Sequence, residues 1–158
     1  KLLAESHERA AELLEAYVKL DENVVFLTLG DATVYSTYLY VHRLLGQRGY
    51  DTQIVSGITS FCAVAARLDT GLVEKDQQLH VIPASYQIEE ALKLPGTKVL
   101  MKAGKKMEEV KRLLKERDLP ALMVENCGME DEKIYRSADE IPESAGYYSL
   151  IIVKEKEV

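Results

Sequence analysis

The sequence predicts an α/β protein of two α/β lobes, the first with a mostly parallel sheet and the second with a mixed sheet. Three observations carry that prediction. Short continuous apolar runs ending in glycine, "NVVFLTLG" and "YDTQIVSG", alternate with helix-like stretches, as in strand–helix–strand units of a parallel sheet. The pattern changes character near "EKDQQLHVIPAS", which marks a join between lobes. The last strand-like runs then follow one another with little helix between them, so part of the second sheet is antiparallel. The first domain is expected over residues 1–75 and the second over 76–158.

The elements follow in order. Leu2, Leu3, Ala10, Leu13, Leu14, Tyr17, Val18 and Leu20 recur at three- and four-residue spacings, which reads as a helix. "NVVFLTLG" is a buried strand, and "TVYSTYLYVHRLLGQRG" a helix closed by Gly46 or Gly49. "YDTQIVSG" is a second strand, and "TSFCAVAARLD" a helix with small residues on one side. "QLHVIPA" is a strand, "QIEEALKL" a short helix and "TKVLMKA" a strand. "KKMEEVKRLLKERD" is a strongly amphipathic helix with Glu/Lys pairs on its solvated face. "PALMVENCG" is a strand, "KIYRSADEIP" an extended return and "YYSLIIVKE" the closing strand.

The bulk numbers exclude several function classes. The 158 residues are 47% hydrophobic and 29% charged, ordinary for a soluble globular protein. A formal net charge of -6 argues against nonspecific nucleic-acid binding. No apolar run reaches the length of a membrane span, and no signal peptide opens the chain. The two cysteines, Cys62 and Cys127, make no disulfide framework and read as reduced thiols of the cytoplasm. The three histidines make no metal-ligand spacing with each other or with the cysteines, so no protein-bound metal is expected. The chain opens inside a helix pattern, without a methionine or a preceding strand, and so reads as part of a longer protein.

Ligands of open α/β sheets collect at the carboxyl ends of strands. Three such ends carry suggestive residues: Gly30-Asp31, "SGITS" with Thr59 and Ser60, and "VENCG" with Cys127. Glycine lets a ligand approach the backbone, a carboxylate accepts hydrogen bonds, and hydroxyls at a helix start can donate them. Each also has a plainer reading. Asp31 and Thr59-Ser60 could be helix N-caps, Asn126 a turn residue, Cys127 a small buried hydrophobe and Lys102 a solvated strand end. Neither common nucleotide fingerprint is present.

Taken in order, "LGDATVYST", "IVSGITSFCAVAARL", "KVLMKAGK" and "ALMVENCGMEDEKIY" resemble the tetrapyrrole (corrin/porphyrin) methyltransferase family over essentially the whole chain. "GDATVYSTY" is similar to the Gly-Asp-Pro-x-x-Tyr-Ser-Thr motif of the subgroup that methylates C(20) of precorrin-2 or cobalt-factor II in cobalamin biosynthesis. The resemblance implies a homodimeric, cytoplasmic methyltransferase with a cleft between its two α/β domains. S-adenosylmethionine would bind there, with S-adenosylhomocysteine as product and no protein-bound metal. Carried over by position, Gly30, Asp31, Val34, Thr59, Ser60, Lys102, Cys127 and, more weakly, Ser149 would line the cofactor. Arg43, Arg48, Arg67 and Lys102 are candidates for the substrate's carboxylates, each with surface solubility as its plainer role. No residue is assigned as the proton acceptor.

Three departures stand out. Ala32 and Ser56 occupy positions where the family has proline, and the family's opening Gly-x-Gly-Pro-Gly-Asp loop is absent from this chain. The alternatives are a relative acting on another precorrin, uroporphyrinogen III, RNA or diphthine, or a truncated, inactive fragment.

Overall fold

The computed structural model describes residues 2–84 and 87–155. By packing, the chain divides into two compact units, Lys1–Thr59 and Ser60–Val158.

In the first unit, helix α1 (Leu2–Val18) packs on helix α2 (Tyr38–Gln47). Ala11, Val41 and Leu45 are buried between them, with Ala10, Leu14, Tyr38, Leu44 and Tyr50 around them. An ion cluster fastens the same pair. Arg48 donates to Glu15 at 2.7 Å and to Glu8, and the Tyr50 hydroxyl donates to Glu15 at 2.8 Å.

The strands expected at "NVVFLTLG" and "YDTQIVSG" differ from expectation. Both segments lie outside any ladder, and no strand forms among the described residues of this unit. Val25, Leu27, Leu29 and Val55 are 78%, 86%, 74% and 79% exposed. The physical reason is that a strand belongs to a pair of segments: apolar, β-branched residues favour extension, and only a hydrogen-bonded neighbour turns it into sheet.

The second unit is a covered mixed sheet. Its strands are β1 (Leu79–Pro83), β2 (Thr97–Met101), β3 (Ala121–Glu125), β4 (Lys133–Tyr135) and β5 (Ser149–Val153), in the order β1-β2-β5-β3-β4. β1 and β2 are parallel and the other pairs are antiparallel, which makes the mixed sheet expected from the sequence. β5 is central because Leu150, Ile151, Ile152 and Val153 offer apolar side chains to both faces.

On one face Leu100, Met123, Ile151 and Val153 meet Met107, Val110, Leu113 and Leu114 of helix α5 (Met107–Glu116) and Ile88 of helix α4 (Ile88–Ala91). On the other, Val99, Val124, Leu150 and Ile152 meet Val64, Ala65 and Leu68 at helix α3 (Ser60–Arg67). The small residues of "TSFCAVAARLD" let α3 pack on the sheet of the second unit. A tight turn precedes β2: Gly96 has φ +77°, and a Cβ there would stand 2.2 Å from the Gln78 carbonyl oxygen.

Candidate functional site

In the first unit, the ends of the two extended segments meet. Asp31 is buried, and its Oδ1 accepts hydrogen bonds from the Thr33 amide at 2.7 Å and the Thr33 hydroxyl at 2.5 Å. Its Oδ2 accepts from the Gly57 amide at 2.9 Å. The Thr33 hydroxyl, then the Thr33 and Gly57 amides, hold this carboxyl below its ordinary value, against the opposing effect of burial. Asp31 is therefore a clamp between two motifs that the sequence set 26 positions apart.

Two glycines complete that clamp. Gly30 has φ +78°, a conformation that favours glycine. A Cβ on Gly57 would stand 2.2 Å from the Gly30 carbonyl oxygen, so only glycine fits the approach. The two turns are thus packed against each other and fixed in place. Val34 is half-buried one turn on, its amide donating to the Asp31 carbonyl at 3.2 Å. The Thr59 hydroxyl oxygen is buried and has no hydrogen-bond partner among the described residues. An unpaired buried hydroxyl costs about 1–3 kcal/mol, which a ligand donor or acceptor would relieve.

In the second unit, the expected residues gather at one end of the sheet. Met101 pairs with Leu150 and Glu125 with Ser149, so Lys102, Asn126-Cys127 and Ser149 share the carboxyl ends of β2 and β3. Lys102, Asn126 and Gly128 have φ values of 58°, 53° and 78°, so the chain turns sharply as each strand ends. Lys102 is exposed. Ser60, the first residue of α3, is exposed as well.

Cys127 is half-buried, and burial, followed by the Glu132 carboxylate, pushes its thiol up, away from a reactive thiolate. The Ser149 hydroxyl donates to the Gly146 carbonyl at 2.9 Å, so it offers a ligand only its lone pairs.

Two of the candidate arginines are engaged within the protein. Arg48 belongs to the α1–α2 ion cluster. Arg67 Nε donates to Glu132 at 2.7 Å, and Glu132 also accepts from the Gly128 amide at 2.8 Å. The guanidinium of Arg43 lies 6.0 Å from the centroid of the exposed Tyr40 ring.

Sequence reasoning missed Glu125, a buried carboxylate whose Oε1 accepts from the Gly146 amide at 2.6 Å. The available signal was a carboxylate closing an otherwise apolar strand, "ALMVE". Among the described residues, no group of three or more His, Cys, Asp or Glu side chains could hold a metal ion, and no helix is long and apolar enough to cross a membrane.

Within the first unit, a fixed carboxylate, two closely packed glycine turns and a buried hydroxyl suit a polar organic ligand. Comparison with known proteins gives a consistent picture. Residues 1–141 match the family model of the Tetrapyrrole (Corrin/Porphyrin) Methylases. The chain is 39% identical over 145 residues to a probable cobalt-precorrin-2 C(20)-methyltransferase of Methanocaldococcus jannaschii, covering 89% of this chain and 63% of the relative. It is 33% identical over 153 residues to the cobalt-precorrin-2 C(20)-methyltransferase of Salmonella typhimurium, covering 92% and 64%. The chain thus spans just under two thirds of the length of these relatives. The fold matches the crystal structure of uroporphyrin-III C-methyl transferase from Thermus thermophilus complexed with S-adenyl homocysteine. That match has a TM-score of 0.71 and 19% identity, and covers 94% of this chain and 73% of that one.

Proposed function

The chain belongs to the tetrapyrrole (corrin/porphyrin) methylases, and on that premise we propose that it is part of an S-adenosylmethionine-dependent C-methyltransferase of cobalamin biosynthesis. Its substrate would be precorrin-2 or cobalt-factor II, methylated at C(20). Similarity along nearly the whole chain to two proteins bearing that activity in their names supports the substrate. The observation that supports the cofactor reading is the Asp31 clamp, which fixes the Gly30 and Gly57 turns against each other.

On this reading Gly30, Asp31, Val34 and Thr59 of the first unit, and Ser60, Lys102, Cys127 and Ser149 of the second, are the residues that meet the cofactor. When bound, the cofactor supplies an electrophilic methyl group on a sulfonium, which needs no metal. The chain's own residues bind and orient. Asp31 holds two glycine turns, the Thr59 hydroxyl gains a partner, and in the second unit the strand-end turns at Lys102 and Asn126 offer further contacts. Orientation of this kind can contribute roughly 7–11 kcal/mol to a bimolecular step.

Arg43 is the arginine best suited to the substrate's carboxylates, since Arg48 and Arg67 are held by Glu15, Glu8 and Glu132, and Lys102 is retained as the lysine candidate from the family resemblance. A homodimer in the cytoplasm, with neither nucleic acid nor membrane as partner, completes the proposal. The acidic net charge of -6 and the two free cysteines are consistent with it. The division into domains 1–75 and 76–158 is retained as a proposal for the natural protein.

Calorimetry with S-adenosylmethionine on the full natural chain, followed by product analysis with precorrin-2 and cobalt-factor II, tests this reading. Binding and a C(20)-methylated product are expected. A full natural chain that binds the cofactor but methylates another tetrapyrrole, an RNA or diphthine would replace the substrate and keep the family. No binding at all would overturn the reading.

A further inference from the structure

The carboxyl ends of β2 and β3 contain one buried acidic side chain whose role the motifs leave open. Glu125 closes β3 and is 9% exposed. Taking a carboxylate out of water is costly unless it is hydrogen-bonded, and Glu125 Oε1 accepts from the Gly146 amide at 2.6 Å. The other side of the same turn is also fastened: the Gly146 carbonyl accepts from the Ser149 hydroxyl at 2.9 Å, and the Tyr148 carbonyl accepts from the Asn126 amide at 2.9 Å. Gly104 sits so close to the turn that a Cβ there would stand 3.0 Å from the Ala145 carbonyl oxygen. The 145–148 turn is thus held from β3, from β5 and from the segment after β2.

The turn carries two exposed aromatic rings. Tyr147 and Tyr148 are 73% and 52% exposed, and their rings meet edge to face at 5.3 Å. Exposed aromatic rings beside a strand-end site suit the flat part of a ligand. For a sulfonium nucleoside that part is the purine.

We propose that Glu125 is a positioning residue for the methyl donor: through Gly146 it fixes the turn that presents Tyr147 and Tyr148 to the donor's purine. The inference rests on the methyltransferase reading above. Glu125 touches no reacting atom. Its carboxylate sets where the rings stand, so its loss weakens donor binding and leaves the transfer step largely intact.

The test uses the full natural chain and S-adenosylmethionine. Glu125→Leu removes the acceptor, while Glu125→Gln keeps an oxygen for the Gly146 amide. Glu125→Leu is expected to raise Kd and KM for the donor about 10- to 100-fold, the size of one lost hydrogen bond to a charged group. The kcat at saturating donor should change less than about threefold, and Glu125→Gln should restore KM to within about threefold of wild type. Tyr147→Leu with Tyr148→Leu leaves the buried carboxylate untouched and should raise KM in the same way, which keeps the test decisive should Glu125→Leu fail to fold. Unchanged donor affinity in the tyrosine variant, or a loss confined to kcat in Glu125→Leu, overturns the proposal while wild-type binding keeps the methyltransferase reading. Absence of donor binding in the wild type overturns both.

Discussion

At the scale of single residues, the candidate site depends on contacts that side-chain chemistry alone could not reveal. Gly57 was legible as a strand stop, but its requirement comes from the Gly30 carbonyl oxygen, 2.2 Å from where a Cβ would stand. Gly57→Ala must therefore move backbone. Overpacking of that kind costs about 1–3 kcal/mol, read as a lowered urea midpoint, and donor affinity should fall with it. Thr59 separates binding from folding. Its hydroxyl oxygen is buried without a partner among the described residues, so Thr59→Val removes a cost from the free protein. The melting temperature should stay or rise, while donor Kd weakens by roughly 3- to 10-fold, one neutral hydrogen bond. A fall in melting temperature with unchanged Kd would assign the hydroxyl to the fold instead. Asp31 was visible in "LGDATVYST", and its candidate roles there were helix cap and ligand contact. Its bond to the Gly57 amide was not visible, because it joins segments that no local pattern relates.

At the scale of elements, the helices and the mixed sheet of the second unit were legible, and the strands of the first were not. α5 follows from its three- and four-residue apolar spacing, and β5 from a β-branched run too apolar to face water on either side. "NVVFLTLG" has an equally good strand sequence, yet pairing is a property of two segments, and among the described residues none lies beside it. The α1–α2 pair shows a further limit of local reading. Arg48 looked like a carboxylate receptor for a ligand, and its carboxylates turn out to be Glu15 and Glu8 of the same unit. Arg48→Met should accordingly lower the melting temperature and leave substrate KM unchanged. The same cluster makes a pH prediction. The Tyr50 hydroxyl and Lys19 first, then Arg48, hold Glu15 down to about 2. A folded-state value below the unfolded one, about 4.3, gives stability that is fully present above that pH and is lost as pH falls through about 2. The stability difference between wild type and Glu15→Gln, followed by urea unfolding, should therefore shrink steadily from pH 5 to pH 2. A difference independent of pH across that window would show that Glu15 acts through packing alone.

At the scale of the whole molecule, the two units differ in how their backbone is protected, and that difference makes the last prediction. In the second unit every residue of β5 is buried, and β5 pairs with both β2 and β3. Helices cover both faces of its sheet, α4 and α5 on one and α3 on the other. In the first unit the buried core is Ala11, Val41 and Leu45, and the segments 22–28 and 50–59 lie outside any ladder. Opening free energy follows buried contacts and backbone hydrogen bonds, so it should differ between units rather than take one global value. Native-state hydrogen exchange should show amides 150–153 slowest, α1 and α2 intermediate, and 22–29 close to free exchange. Adding S-adenosylmethionine at 100 times its Kd to the full natural chain should slow every amide whose opening abolishes binding, by up to roughly the 2.7 kcal/mol of linkage. The discriminating amide is Gly57, whose N–H is donated to Asp31. It lies in the poorly protected unit, yet if the Asp31 clamp shapes the donor site, its exchange should slow by about 100-fold, the same factor in other units. Protection that rises only at β5 and leaves Gly57 unchanged would place the donor contacts in the second unit alone, and Asp31 would then be a fold residue.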